Sequence, residues 1–471
     1  MTRRTGVLAR NVNDSNNEYY ARRDLQTVTL QSGAQTVSAR RAVDLRLERA
    51  SIDATSGSAG QQLLSGRLEA LNSLLAGEDG ALDITDRLTA LHDSIQAYSG
   101  APDNDLLGQS VLGKARDMAA ALNLATSAVQ DFRLGVDKEI GETVTQLNAL
   151  LDEFENVNSD IKQGTKLGQD VNDALDRRSE LLNNIAEIVP VSPLMRDNND
   201  MVLLTTSGAT LFETEARTVS FVPQAALAPG TTGNPVFVDV VRLNFNGDIN
   251  APVAGKLDGL LRLRDGVGPG LQTQLDETAR SLVAAFAETD ASGGALPPLH
   301  GLFSWSGGPG IPPAGALVFG LAGTIAVNPA YDPVAGGSVV RLRDGGANGA
   351  AYNANPAGQS AYANRLINLA GQFDTNRAFD PAAGIGNALS LVEFSSRSSG
   401  WFAGQRSDAA NMADTAAAKS ARIRESLSNQ TGVNIDLEMS KLGELENGYQ
   451  ASARLLAVAD QMLQTLLDSV G

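Results

Sequence analysis

Proline is placed along this chain in a way that leaves few architectures open. Sixteen of its seventeen prolines lie between Pro190 and Pro381, Pro102 stands alone, and residues 1–101, 103–189 and 382–471 hold none. Inside a helix a proline costs about 3 kcal/mol, through its missing N–H and its clash with the preceding turn. Long helices are therefore permitted at both ends, and the middle belongs to turns and strands. Glycine follows the same division, with fifteen between 291 and 360. The expected class is α+β and multidomain: an elongated helical bundle built from N- and C-terminal parts, with an inserted β-rich region and a C-terminal heptad helix.

Hydrophobic periodicity fills in the ends. From Met118 through Val129, Ile140 and Phe154 to Ile161, apolar residues recur at steps of three and four over more than forty residues, far beyond an ordinary globular helix. An earlier stripe runs from Val43 to Ala54 and resumes at Leu64, Leu68, Leu71 and Leu75; its small, polar middle, Ser51 to Gly60, predicts weak packing. Ser179–Val189 reads as a short helix stopped by Pro190. In the middle, Met201–Leu204, Leu211–Phe212, Val219–Val222 and Val236–Leu243 read as short strands, and Leu271–Glu288 as a helix. Ala316–Phe319 and Val339–Leu342 are the strand candidates of the Gly-rich insert.

The C-terminal segment carries the sharpest signal. Leu442, Leu445, Tyr449, Ser452, Leu456, Ala459, Leu463, Leu466 and Val470 form an unbroken heptad seam. Asn434 is placed to cap the helix, with Asp436 and Glu438 in the first turn, where the helix dipole favours acids. A seam of this kind needs a partner helix, which is either this protein's own bundle or another subunit.

Composition excludes several functions. There is no cysteine, so disulfides, thiolate metal sites and cysteine nucleophiles are ruled out. A net charge of −17 with seven lysines argues against nucleic acid or an anionic membrane as a partner. No apolar run approaches the roughly 18 residues of a membrane helix, and no signal peptide follows Met1-Thr2-Arg3-Arg4. Gly108–Ala115 imitates a phosphate loop, but Ala115 replaces the hydroxyl needed for Mg²⁺, so it reads as a helix start. Gly266, Gly268 and Gly270 around Pro269 read as a loop before a helix, and His92 and His300 lack ligand spacing. Asp152, Glu153 and Glu155 read as a solvated helix face. Neither a cofactor nor an enzyme is indicated, and a hydrolase within 291–360 lacks an acid/base pair. Residues 1–50 carry nine Arg against five acids, and 432–471 two bases against six acids, which would favour pairing of the two ends.

Asn434-Ile435-Asp436-Leu437-Glu438-Met439, followed by Tyr449-Gln450-Ala451-Ser452-Ala453-Arg454, resembles the C-terminal signature of bacterial flagellar axial proteins, an N-x-D-x-E-M start leading into a Y-Q-A-x-A-R helix. Leu175–Leu182, Gly255–Asp265 and the Leu271–Glu288 helix narrow the resemblance to hook-associated proteins of the FlgK type; Phe303–Trp305 and Ala322–Pro329 are similar to stretches in some members. The resemblance implies a non-enzymatic, self-assembling subunit of a ring between hook and filament, extracellular and exported by the flagellar type III route without a cleaved signal. Implied partners are copies of itself, the hook protein, the adjoining hook-associated protein and an export chaperone. The alternative within the same class is a hook, distal-rod or flagellin-like subunit.

Mapped onto this chain, the resemblance gives an extended N-terminal segment (1–33), a helical bundle (34–190 with 385–425), a β-rich region plus helix (191–290), a Gly/Pro-rich insert (291–384) and a C-terminal core helix (426–471). Family members open with an apolar helix, an Asn-rich stretch and a Gly-Tyr-Ser/Thr-Arg element. With Met1 aligned at that tyrosine, the partner helix of 433–471 is expected to be missing from this chain, and the unpartnered C-terminal helix to be mobile.

Overall fold

The computed structural model describes residues 2–29, 35–77, 83–243 and 248–470. A short helix, α1 (Thr2–Asn13), leads into an antiparallel hairpin, β1 (Arg23–Thr29) and β2 (Gln35–Arg41), with Arg23 opposite Arg41. The expectation of an extended segment over 1–33 is thus corrected. Its composition is polar, and the helix is held by packing along another helix rather than by a core of its own.

Four helices follow: α2 (Leu45–Ala76), α3 (Ile84–Gly100), α4 (Asp105–Lys166) and α5 (Asn172–Ile188). Asp44, Asp83 and Asn104 start the first three by accepting backbone N–H groups of the opening turn. At 1.5 Å per residue, α4 is about 90 Å long. α5 stops at Ile188 because Val189, which precedes Pro190, is forced into the extended region.

The middle opens with the antiparallel sheet β3 (Val191–Met195), β4 (Met201–Thr205) and β5 (Thr210–Phe212). A second sheet joins β6 (Val219–Ser220), β7 (Phe237–Val238) and β8 (Val241–Arg242). Then α6 (Lys256–Arg262) runs through a π turn at Leu263–Val267 into α7 (Gly268–Ala285). The loop expected around Pro269 is therefore helical. Pro269 occupies the first turn of α7, where no intrahelical N–H is required, and a Cβ on Gly268 would meet the Arg133 side chain at 2.7 Å.

The insert carries two-residue strands β9 (Phe303–Ser304) and β10 (Ala326–Val327), paired with each other. Neither expected strand forms. Residues 316–319 have no regular structure between the turns at Gly315 and Gly320. Val339 and Leu342 instead bury together at the start of a single helical turn, α8 (Arg341–Asp344), where a spacing of three puts them on one side. After α9 (Asn364–Gly371) and the pair β11 (Arg377–Ala378) and β12 (Ala388–Leu389), the chain returns along α2 as α10 (Leu391–Thr431) and leaves as α11 (Ile435–Val470).

Two hydrophobic cores sit along α4. Val129 to Phe154 packs with α2, α5, α6 and the first sheets, whereas Val111 to Leu122 packs with α3, α7 and the insert. One helix thus spans both. Among the described residues no helix is long and apolar enough to cross a membrane, and no cluster of His, Asp or Glu is arranged to hold a metal.

Candidate assembly interface

Three residues, Gly432, Val433 and Asn434, separate α10 from α11. Asn434 turns the chain into the new helix: its Oδ1 accepts the Leu437 N–H at 3.0 Å. Beyond its first turns, α11 leaves the body. Leu442 and Leu445 are half-buried, and every residue from Glu446 to Leu467 except Ser452 is exposed, including Tyr449, Leu456, Ala459, Leu463 and Leu466 of the seam. Leu456 is 72% exposed and Leu463 61%. The side chain of Val470 lies outside the described residues. Of the motif positions, Asn434, Asp436, Met439, Gln450, Ala451, Ala453 and Arg454 are exposed, and Glu438 alone is buried.

A fully buried glutamate in a helix otherwise open to water needs partners, because desolvating an unpaired carboxylate is costly. Glu438 has two. Its Oε2 accepts from Asn11 Nδ2 at 2.8 Å, and its Oε1 from Lys441 Nζ at 2.8 Å. Asn11 belongs to α1, which packs along the beginning of α11. Its amide is fully used: Nδ2 also donates to the Arg23 carbonyl at 3.1 Å, and Oδ1 accepts from the Tyr20 hydroxyl at 2.8 Å and the Arg23 N–H at 3.1 Å. Burial pushes the Tyr20 phenol up to about 12, so it stays a donor.

From Arg23 the network enters the helical body. Its guanidinium donates to Asp173 and, at 3.1 Å, to Asp176, both on α5. Arg41 donates to Asp176 at 2.7 Å and to Glu48 of α2 at 3.2 Å. Burial raises the Asp176 carboxyl above its ordinary value, while Arg41 and Arg23 pull it down. Arg23 and Arg41 of the N-terminal segment are therefore answered by acids of α5 and α2 rather than by those of the C-terminal segment, and the contact between the two ends runs instead through an uncharged residue, Asn11.

This arrangement corrects the alignment of Met1 with the family's tyrosine. An Asn-rich run, Asn11 to Asn17, precedes Tyr19-Tyr20-Ala21-Arg22-Arg23, and a helix precedes both. The signal was present in the sequence, in four asparagines within seven residues followed by Tyr and Arg, with Ala21 between them.

Elsewhere the structure offers little chemistry. Gly108–Ala115 lies inside α4. The His92 ring lies 4.9 Å from the Phe373 ring. Glu153 pairs with Arg177, and Glu155 accepts the Ala216 N–H at 2.6 Å, which ties these expected solvent-facing acids to neighbouring elements. An open groove of about 740 Å³ between α2 and α10 is lined by Arg67, Lys256 and Arg424, each paired with an acid of this chain: Glu139, Glu187 and Glu18.

Comparison with known proteins places these features. The family description "Flagellar hook-associated protein FlgK helical domain" matches residues 68–298, from the middle of α2 to just beyond α7, and "Flagellar basal body rod FlgEFG protein C-terminal" matches residues 426–469. Over these two stretches the chain is similar to the FlgK-type hook-associated proteins. It is 26% identical over 228 residues to flagellar hook-associated protein 1 of Salmonella typhimurium, covering 47% of this chain and 39% of that protein. It is 21% identical over 429 residues to flagellar hook-associated protein 1 of Bacillus subtilis, covering 84% of this chain and 79% of that one. The flagellar hook junction protein FlgK from Burkholderia pseudomallei overlays with a TM-score of 0.42 at 18% identity, over 55% of this chain and 46% of that one. The chain thus spans about two-fifths of the length of its Salmonella relative.

Proposed function

We propose that this chain is a structural subunit of the flagellar hook–filament junction, acting by self-assembly into a ring rather than by catalysis. One observation carries the reading: α11 projects a heptad seam into solvent from a body whose own cores are complete. Water penalises exposed leucine at about 25 cal/mol per Å², so a seam running through Leu456, Leu463 and Leu466 is a surface made to be covered. Its partners are the terminal helices of neighbouring copies, the hook protein and the adjoining hook-associated protein. Before assembly the exposed seam calls for an export chaperone, and delivery runs through the flagellar export channel to the cell exterior.

Electron microscopy of a strain deleted for the gene, with the medium assayed for flagellin, tests the reading. Bare hooks and shed flagellin are the expected result. Normal filaments would overturn it, and missing hooks would reassign the protein to rod or hook.

A further inference from the structure

Resting on that reading, we propose that Asn11 and Glu438 form a latch that sets the direction in which α11 leaves the helical body, so that the assembly helix is aimed before it meets a partner. The chain between α10 and α11 offers little stiffness of its own: Gly432 and Val433 lie between the last turn and the Asn434 cap. Two attachments hold the joint. The Arg22 N–H donates to the Thr431 carbonyl at 2.7 Å, which fixes the end of α10, and Asn11 donates to Glu438, which fixes the first turn of α11.

The second attachment is built to hold. Asn11 and Glu438 are almost fully buried, at 0% and 1% exposure. All four hydrogen-bonding positions of the Asn11 amide are filled. Swinging α11 away would strand that amide N–H and open a carboxylate site that the helix keeps dry, and buried polar groups without partners are strongly disfavoured. The restraint reaches the body without a gap, from Glu438 to Asn11, to Arg23, to Asp173 and Asp176 on α5, and through Arg41 to α2. It draws on six elements, α1, β1, β2 and α2 near one end of the chain, α5, and α11 at the other, so α11 can be aimed only once the body has folded.

The absence of cysteine makes the test direct. Cysteines introduced at Asp152 on α4 and Glu446 on α11, both exposed, give one spin-label pair across the joint in the full chain. Pulsed electron–electron distance measurement is expected to give one narrow distribution for the parent. In N11D, where two carboxylates face each other, that distribution should broaden or shift while circular dichroism and thermal unfolding of the body remain near the parent's. In N11D/E438Q an amide again faces a carboxylate, and the narrow distribution should return. A broad distribution in the parent, or a narrow unshifted one in folded N11D, would overturn the latch. These distances are read on the isolated protein, so they succeed or fail independently of whether the protein caps a hook.

Discussion

Asp276, on the buried face of α7, shows how one side chain carries tertiary structure here. Its two oxygens accept the backbone N–H groups of Gly320 and Ala322, each at 2.9 Å, and the Gln272 amide at 3.1 Å, which ties the insert to the helix. Burial nevertheless pushes its pKa up to about 6. Because the folded value lies above the ordinary 3.8, the native state binds more protons than the unfolded one between those limits. This group's contribution to stability therefore falls as pH rises from about 4 to about 6 and is level above that range. D276N removes the titration and turns an amide NH₂ toward the Gly320 N–H. Chemical denaturation of the variant should show a loss of about 1–3 kcal/mol at neutral pH, and the pH 4–6 slope should be shallower than the parent's. Asp137 is a harder case. It accepts from Arg264 at 2.6 Å and from the Gln224 N–H at 2.6 Å, with both charged side chains at 1% exposure or less. D137A removes one of the two carboxylates of Arg264, which keeps Asp265 at 2.6 Å, and leaves the Gln224 N–H without its acceptor; the expected loss is about 1–3 kcal/mol, read as a lowered denaturation midpoint.

At the scale of elements, the crossing of α2 with the start of α6 depends on two glycines. A Cβ on Gly60 would lie 2.8 Å from the Gly255 carbonyl oxygen and 2.9 Å from its nitrogen, both backbone atoms that have no room to move. G60A should therefore cost about 1–3 kcal/mol through overpacking, even though alanine is the better helix former; a thermal midpoint at or above the parent's would refute the close crossing. The same place shows what the sequence could and could not disclose. The long apolar stripe of α4, the stop before Pro190 and the heptad of α11 follow from periodicity and proline chemistry, and all three helices are there. The small, polar residues from Ser51 to Gly60 predict weak packing. In the structure small size is what lets backbones approach, so Ser51, Thr55, Ser56, Ser58 and Gly60 are buried within one continuous helix. The insert strands failed for the opposite reason: isolated β-branched residues among glycines have no neighbouring strand to fix a period of two. The latch was hidden most deeply. Glu438 is recognisable from its motif, but its burial depends on Asn11, more than four hundred residues away, and no local pattern encodes that.

Over the whole molecule, the buried charge and the exposed leucine are divided between body and arm. Arg264 with Asp137, Arg280 with Glu277, and Arg23 with Asp176 lock the body internally, whereas α11 beyond Leu445 contributes almost nothing to that body. This division makes the arm's role separable from folding. L456D and L463D change side chains that are 72% and 61% exposed, and substitutions at exposed positions ordinarily stay within about 0.5 kcal/mol. Each variant should therefore unfold at the parent's temperature. In an assembled ring the same carboxylate would sit at a heptad position against a partner helix, where an unpaired buried charge is not tolerated. Complementation of a deletion strain by either variant should then leave cells unable to swim, with hooks that carry no filament. Restored swimming by both would mean that the seam is not the assembly surface, whatever holds α11 in place. Loss of swimming accompanied by a lowered unfolding temperature would mean that α11 is part of the fold after all, and only the combination of an unchanged body and a lost filament supports an arm that is aimed by the body and used outside it.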